Sequence, residues 1–171
     1  MAGVTQAEMV SVLCGARGLE GLDAERFGPL IEAGELMSFE AGEVLYDRGE
    51  VADRGFILIS GRVELVEAPY PGRRLASQLF TAGGLFSENG FIKGWPHKHS
   101  CRAIEATEAL AVSTQAFRAL LDAGDVVTMR IVDELLNLFV HDLRGTNQRL
   151  DEIFSRPDRT LTQLRDLIDA E

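Results

Sequence analysis

From Leu36 to Val112 short apolar runs alternate with glycine-bearing turns at a spacing of roughly ten residues. Leu36–Phe39 leads into Glu40-Ala41-Gly42-Glu43, Val44–Tyr46 into Asp47-Arg48-Gly49-Glu50, and Phe56–Ile59 into Ser60-Gly61-Arg62. Val63–Val66 runs towards Pro71-Gly72, Leu75–Thr81 into Gly83-Gly84, and a last strand pair spans Ser100–Val112. Runs this short are strands rather than helices, and glycine supplies the positive φ that tight turns require. Many short strands at even spacing specify a roll, barrel or sandwich.

Helices flank this region. Thr5 and Glu8 form a capping-box start for a helix over residues 5–19, with Met9, Val10 and Leu13 as its apolar face and Gly15 and Gly18 at its end. A second short helix after Asp23 carries Phe27, Leu30 and Ile31. Beyond Phe117 the chain turns helical for a long stretch, and from Met129 its apolar residues fall on a heptad. Met129, Leu136, Leu143 and Leu150 occupy one seam position; Val132, Phe139, Thr146 and Ile153 occupy the other. Such a stripe packs on the roll or meets a second copy of itself, and self-association is expected. Gly145 lies inside it and weakens the helix by roughly 1 kcal/mol relative to alanine. Ser155-Arg156-Pro157-Asp158 breaks the helix. Thr160 and Gln163 then cap a tail helix with Leu161, Leu164, Leu167 and Ile168 on one face. Four segments result: N-terminal helices over 1–34, the roll over 35–122, the long helix over 123–155, and a linker with the tail helix over 156–171.

Composition excludes several function classes. A net charge of −10 repels phosphate backbones, so sequence-independent nucleic-acid binding is not expected. No apolar run is long enough to span a membrane, and the N-terminus has no basic start or apolar core of an export signal. Cys14 and Cys101 are then reduced thiols, and a cytoplasmic location is expected. No nucleophile–base or carboxylate constellation stands out, so no catalytic residue is assigned.

The stretch from Phe39-Glu40-Ala41-Gly42-Glu43 to Phe117 resembles the cyclic-nucleotide-binding domain of catabolite-activator-type regulators and protein kinase A regulatory subunits. Gly42, Gly49, Gly61, Gly72 and Gly84 fall where that family turns. Phe56–Val63 resembles its central hairpin, and Ala109–Phe117 its exit into the hinge helix. The resemblance implies a mainly β fold with α: an antiparallel, jelly-roll-like β-roll flanked by N-terminal helices and a long C-terminal dimerisation helix.

It also implies a ligand site. The family's phosphate cassette reads Phe-Gly-Glu, a short helix, then Pro-Arg and two small residues. Here Leu85-Phe86-Ser87-Glu88-Asn89 leads, nine positions after Glu88, to Pro96-His97. Glu88 falls on the acid that accepts hydrogen bonds from the ribose 2′-hydroxyl. Ser87 replaces the glycine, and His97 replaces the arginine that pairs with the cyclic phosphate. The implied ligand is cyclic AMP or cyclic GMP, with no other cofactor: Glu88 at the ribose, His97 and the Ser87–Asn89 N–H groups at the phosphate, and Thr146 with Asn147 at the base. Lys98, His99 and Arg102 are nearby cations. On a strand, His97 and His99 would share a face and Lys98 would point away.

The implied role is a regulatory sensor acting through a protein partner, because residues 156–171 are too few for the helix-turn-helix domain of the family's transcription factors. Two alternatives stand beside it. A ligand-independent dimeric adaptor would keep the roll with a degenerate cassette. A cupin-like metal protein would use His97-x-His99-x-Cys101, but no second motif completes a ligand set, so no metal site is assigned.

Overall fold

The computed structural model describes the chain over residues 4–70 and 73–155, with side chains except at 67–77 and 153. The turn expected at Pro71-Gly72 and the tail helix expected over 156–171 lie outside the described residues. Two compact units emerge, Met1–Asp133 and Glu134–Glu171.

The first unit opens with α1 (Gln6–Gly15), a 3₁₀ turn (Ala24–Phe27) and α2 (Gly28–Ala33). The capping box forms as expected: Thr5 Oγ1 accepts from the Glu8 N–H at 3.3 Å, and Glu8 Oε2 accepts from the Thr5 N–H at 2.8 Å. The helix stops at Gly15, short of the expected residue 19, because the chain turns through Gly18 and Gly21 with φ near +80°. Met9, Leu13, Phe27 and Leu30 are buried beneath these elements.

Eight strands follow: β1 (Glu35–Phe39), β2 (Val44–Tyr46), β3 (Arg54–Ser60), β4 (Val63–Tyr70), β5 (Arg73–Phe80), β6 (Leu85–Phe86), β7 (Ser100–Ala103) and β8 (Thr107–Ser113). They form two antiparallel four-stranded sheets, ordered β1-β8-β3-β6 and β2-β7-β4-β5. This is the expected β-roll, with helices before and after it. The core between the sheets holds Phe39, Tyr46, Phe56, Leu58, Leu65, Phe80, Phe86 and Cys101. Gly55–Ile59 of β3 are all buried. Alternation places Phe56 and Leu58 in the roll, and Gly55, Ile57 and Ile59 on the opposite, helix-covered side.

Gly61 shows what its turn demands: φ is +82°, and a Cβ would stand 2.5 Å from the Ala106 carbonyl oxygen. At the Gly83-Gly84 turn it is Gly83, at φ +82°, that takes the left-handed conformation. The α3 helix (Glu88–Ile92) sits between β6 and β7, and α4 (Thr114–Asp122) leads to α5 (Val126–Ser155). Ser113 caps α4 by accepting from the Ala116 N–H, and Asp125 caps the start of α5 by accepting from Thr128. Val127 and Ile131, in the first turns of α5, are fully buried.

In the second unit α5 carries its apolar seam outward. Leu136, Val140, Leu143, Leu150 and Phe154 are exposed, Leu143 by 63% and Phe154 by 77%. Upstream on the same stripe Met129 is exposed as well. Of the other seam, Val132 and Phe139 are half-buried and Thr146 is exposed. A Cβ at Gly145 would meet nothing within 4 Å.

Candidate functional site

The site is built on the β6–α3 corner. Ser87 adopts φ 56°, ψ 47°, the left-handed conformation that costs a non-glycine residue roughly 1–2 kcal/mol. Its hydroxyl offsets part of that cost by donating to the Arg54 carbonyl at 2.7 Å. The corner therefore explains both the glycine expected here and the tolerance of serine: the backbone needs positive φ, and the hydroxyl points into β3 instead of into the roll. Glu88 and Asn89 open α3 and are half-buried.

The helix behind this corner is locked in place. A Cβ at Gly90 would lie 1.9 Å from the Arg54 carbonyl oxygen, and one at Gly55 would lie 2.2 Å from the Phe91 ring. Phe91 in turn meets Phe117 of α4, with ring centroids 5.0 Å apart. The Thr114 hydroxyl donates to the Gly90 carbonyl, and the Thr114 N–H donates to the Asp53 carbonyl at 2.9 Å. The cassette helix, β3 and the hinge helix thus share one junction.

A file of aromatic rings leads from the roll's core to the cassette. Phe80 and Phe86 lie 5.7 Å apart, Phe86 and Phe56 5.1 Å, Phe56 and Tyr46 6.3 Å, and Tyr46 and His97 3.7 Å. The imidazole of His97 lies almost flat on the phenol, at 11°. Its backbone is pinned to the Gly49–Glu50 segment by two bonds: the His97 N–H donates to Glu50 O at 2.8 Å, and its carbonyl accepts from the Gly49 N–H at 2.9 Å. His97 is only 9% exposed. Burial holds its pKa below the usual histidine value, while the carboxylates of Glu50 and Asp53 pull the other way. At neutral pH the ring is therefore largely uncharged.

Tyr46 and Cys101 face the same interior. Burial is the main cause that drives the Tyr46 phenol far above its ordinary value; Cys101 and Glu88 add to it, and a backbone hydrogen bond with Ser87 opposes it. Burial likewise pushes the Cys101 thiol up to about 12, with the Tyr46 hydrogen bond opposing and the Glu88 and Glu64 charges adding. The sequence did not single out Tyr46: nothing in a three-residue strand shows that its ring will bridge the core and the cassette.

The residues expected at the site distribute as follows. Tyr46 meets the His97 ring and a backbone hydrogen bond with Ser87, and Glu88 and Asn89 follow Ser87 at the start of α3. Lys98 is exposed, and His99 is half-buried. The expected strand alternation over His97–His99 does not hold, because β7 begins only at Ser100 and the chain bends through Lys98 and His99. The His-x-His-x-Cys face therefore does not form. Arg102 is drawn onto Glu64 of β4 rather than towards the cassette. Thr146 and Asn147 are exposed on α5 in the second unit. Among the described residues no group of three or more metal-ligating side chains comes together, and no helix is long and apolar enough to cross a membrane.

Comparison with known proteins places this geometry. Residues 36–123 match the sequence model of the cyclic nucleotide-binding domain. Over 161 residues the chain is 26% identical to a CRP-like cAMP-activated global transcriptional regulator of Mycobacterium tuberculosis, covering 93% of this chain and 70% of that protein. Among solved structures, a cyclic nucleotide-binding domain from Methylobacillus flagellatus superposes with a TM-score of 0.69 at 19% identity, covering 84% of this chain and 81% of that one. The catabolite activator protein of Thermus thermophilus also gives 0.69, at 22% identity, covering 80% of this chain and 62% of that one.

Proposed function

The chain belongs to the cyclic nucleotide-binding domain family, and from that premise we propose that it is a cyclic-nucleotide sensor that dimerises through α5 and signals through a protein partner. The observation that carries this reading is the corner at Ser87–Glu88. It holds the left-handed turn and the short helix, and it sets on that helix's first turn the Glu88 carboxylate, the kind of acceptor that a ribose 2′-hydroxyl requires. In this reading Glu88 takes the ribose. The Ser87–Asn89 N–H groups and His97 take the cyclic phosphate, with Lys98 at the rim. Thr146 and Asn147, exposed on α5, supply a hydroxyl and an amide for the base. The relative whose name includes activation by cAMP makes cyclic AMP the first ligand to try.

Calorimetric titration with cyclic AMP and, separately, cyclic GMP tests the reading. Micromolar or tighter binding of either is expected. No heat and no thermal shift at millimolar nucleotide would instead favour the ligand-independent adaptor, for which the stacked, uncharged His97 is the supporting observation.

Dimerisation rests on the exposed seam of Leu136, Val140, Leu143, Leu150 and Phe154, an apolar stripe of coiled-coil spacing. A carboxylate in a closed seam would be buried without a partner, which costs several kcal/mol. The double substitution Leu136→Asp, Leu143→Asp is therefore expected to turn a dimer into a monomer by light scattering at micromolar concentration, with the roll's thermal unfolding retained. A dimer that survives both changes would move the interface elsewhere.

A further inference from the structure

We propose that the sensor takes up its anionic ligand together with a proton, with His97 as the group that receives it. This rests on the cyclic-phosphate reading of the site and specifies how that site is regulated. A cyclic phosphodiester is a monoanion across the physiological range, so any change of protonation on binding belongs to the protein. The cassette segment carries two rings that titrate in that range, His97 and the half-buried His99 on the bend after it; of the two, His97 is the one that lies flat against Tyr46, at 3.7 Å, with its N–H and its carbonyl both bonded to the Gly49–Glu50 segment.

The groups that face this ring set the direction. Tyr46, on β2, is neutral, since its phenol is held far above its ordinary value. Glu50 and Asp53, on the segment between β2 and β3, are the carboxylates that attract the imidazolium. Asp53 is already engaged by Arg54, whose Nε donates to it at 3.0 Å. Lys98 and His99 follow in the same segment, and Lys98 is exposed to solvent. Burial outweighs the two carboxylates, so the empty site keeps the ring neutral. A phosphate arriving at the Ser87–Asn89 corner adds a negative charge at short range, and this raises the imidazole's affinity for a proton.

The sign follows. The free ring titrates below the usual histidine value, and the liganded ring titrates higher. Between those two points binding takes up a proton, so affinity rises as pH falls through the liganded value and levels off below the free value. With one proton taken up, the steepest part of the curve is tenfold in Kd per pH unit. An arginine at this position, charged at every accessible pH, would show no such dependence.

The experiment is titration of the full chain with cyclic AMP from pH 5.5 to 8, each point repeated in two buffers that differ in ionisation enthalpy. Kd is expected to weaken towards high pH by up to tenfold per unit, and the apparent enthalpy to depend on the buffer. His97→Arg should bind more tightly at pH 8 and lose both dependences; His97→Gln should bind weakly and also lose them. Binding with a flat pH profile and a buffer-independent enthalpy would overturn proton uptake while leaving the sensor reading intact. An absence of binding at every pH would overturn both. The wild-type profile and enthalpies decide the matter even if a variant fails to fold.

Discussion

On the proposed sensor reading, Glu88→Ala should remove nearly all of the thermal stabilisation expected from cyclic nucleotide. A ligand that binds only the folded state stabilises it by about 2.7 kcal/mol at a hundred times its Kd. Hydrogen bonds to a charged acceptor contribute about 1.5–3 kcal/mol, so deleting the carboxylate that accepts from the ribose weakens binding by roughly ten- to a hundredfold or more. At the same nucleotide concentration a hundredfold loss leaves about 0.4 kcal/mol, close to the resolution of a thermal melt. The unliganded protein should change by less than about 1 kcal/mol, because Glu88 is half-buried on the first turn of a five-residue helix. A variant that still gains the full shift with nucleotide would show that the ribose acceptor lies elsewhere. A variant that melts much earlier without ligand would show that Glu88 is a structural residue first.

Gly90→Ala should be among the most damaging single substitutions in the chain. The added methyl would lie 1.9 Å from the Arg54 carbonyl oxygen and 2.7 Å from the Gly55 nitrogen. Both atoms belong to β3, whose residues 55–59 are buried, so no flexible side chain can swing away. Overpacking costs typically 1–3 kcal/mol, and this instance, opposed by the backbone of β3, is expected at about 3 kcal/mol or above. For a chain of this size that lowers Tm by roughly 6–12 °C. Gly28→Ala serves as the control: its Cβ would meet nothing within 4 Å, its φ is −49°, and it should be neutral or slightly stabilising. Equal melts for the two variants would mean that α3 does not press on β3 as described. A large loss for Gly90→Ala alone would confirm the junction.

How much of this was legible in the sequence differs from place to place. The strands and turns could be read because period-two alternation and punctuating glycines are local signals. Thr5 and Glu8 announced a capping box that formed with both bonds. The helix α1 ends at Gly15, the first of the two glycines expected at its end, and the stretch expected to carry it to residue 19 turns instead through Gly18 and Gly21. The heptad on α5 could be read as a stripe, yet sequence alone did not separate its exposed positions, Leu136 and Leu143, from the half-buried Val132 and Phe139. The turn at Ser87 and the helix start at Glu88 were legible, because spacing along the chain sets them. The site was less legible at His97, whose state depends on Tyr46, a residue 51 positions away that becomes its neighbour only when the sheets close. The direction of the Ser87 hydroxyl, towards Arg54, is likewise a tertiary fact. The strand expected through His97 and His99 failed because Pro96 and the bend at Lys98 and His99 delay the sheet until Ser100.

The junction of Gly55, Gly90, Phe91, Thr114 and Phe117 has a consequence for signalling economy. Where ring meets ring and a hydroxyl bridges α3 and the residue before β3, there is little slack in which a small displacement can be absorbed. On the proposed sensor reading, a shift at the cassette is handed to α4 whole, and the switch works as a lever with a stiff fulcrum rather than as a spring. The size of the response is set at the two ends: by how differently the ligand binds the two postures, and by how evenly those postures are poised before it arrives. Turning a population from one part in a hundred to ninety-nine requires a preference of about ten-thousandfold. A sensor with a stiff fulcrum is therefore tuned most economically by residues that bias its resting posture, and sequence changes in the hinge helix should alter its threshold while leaving its ligand specificity untouched.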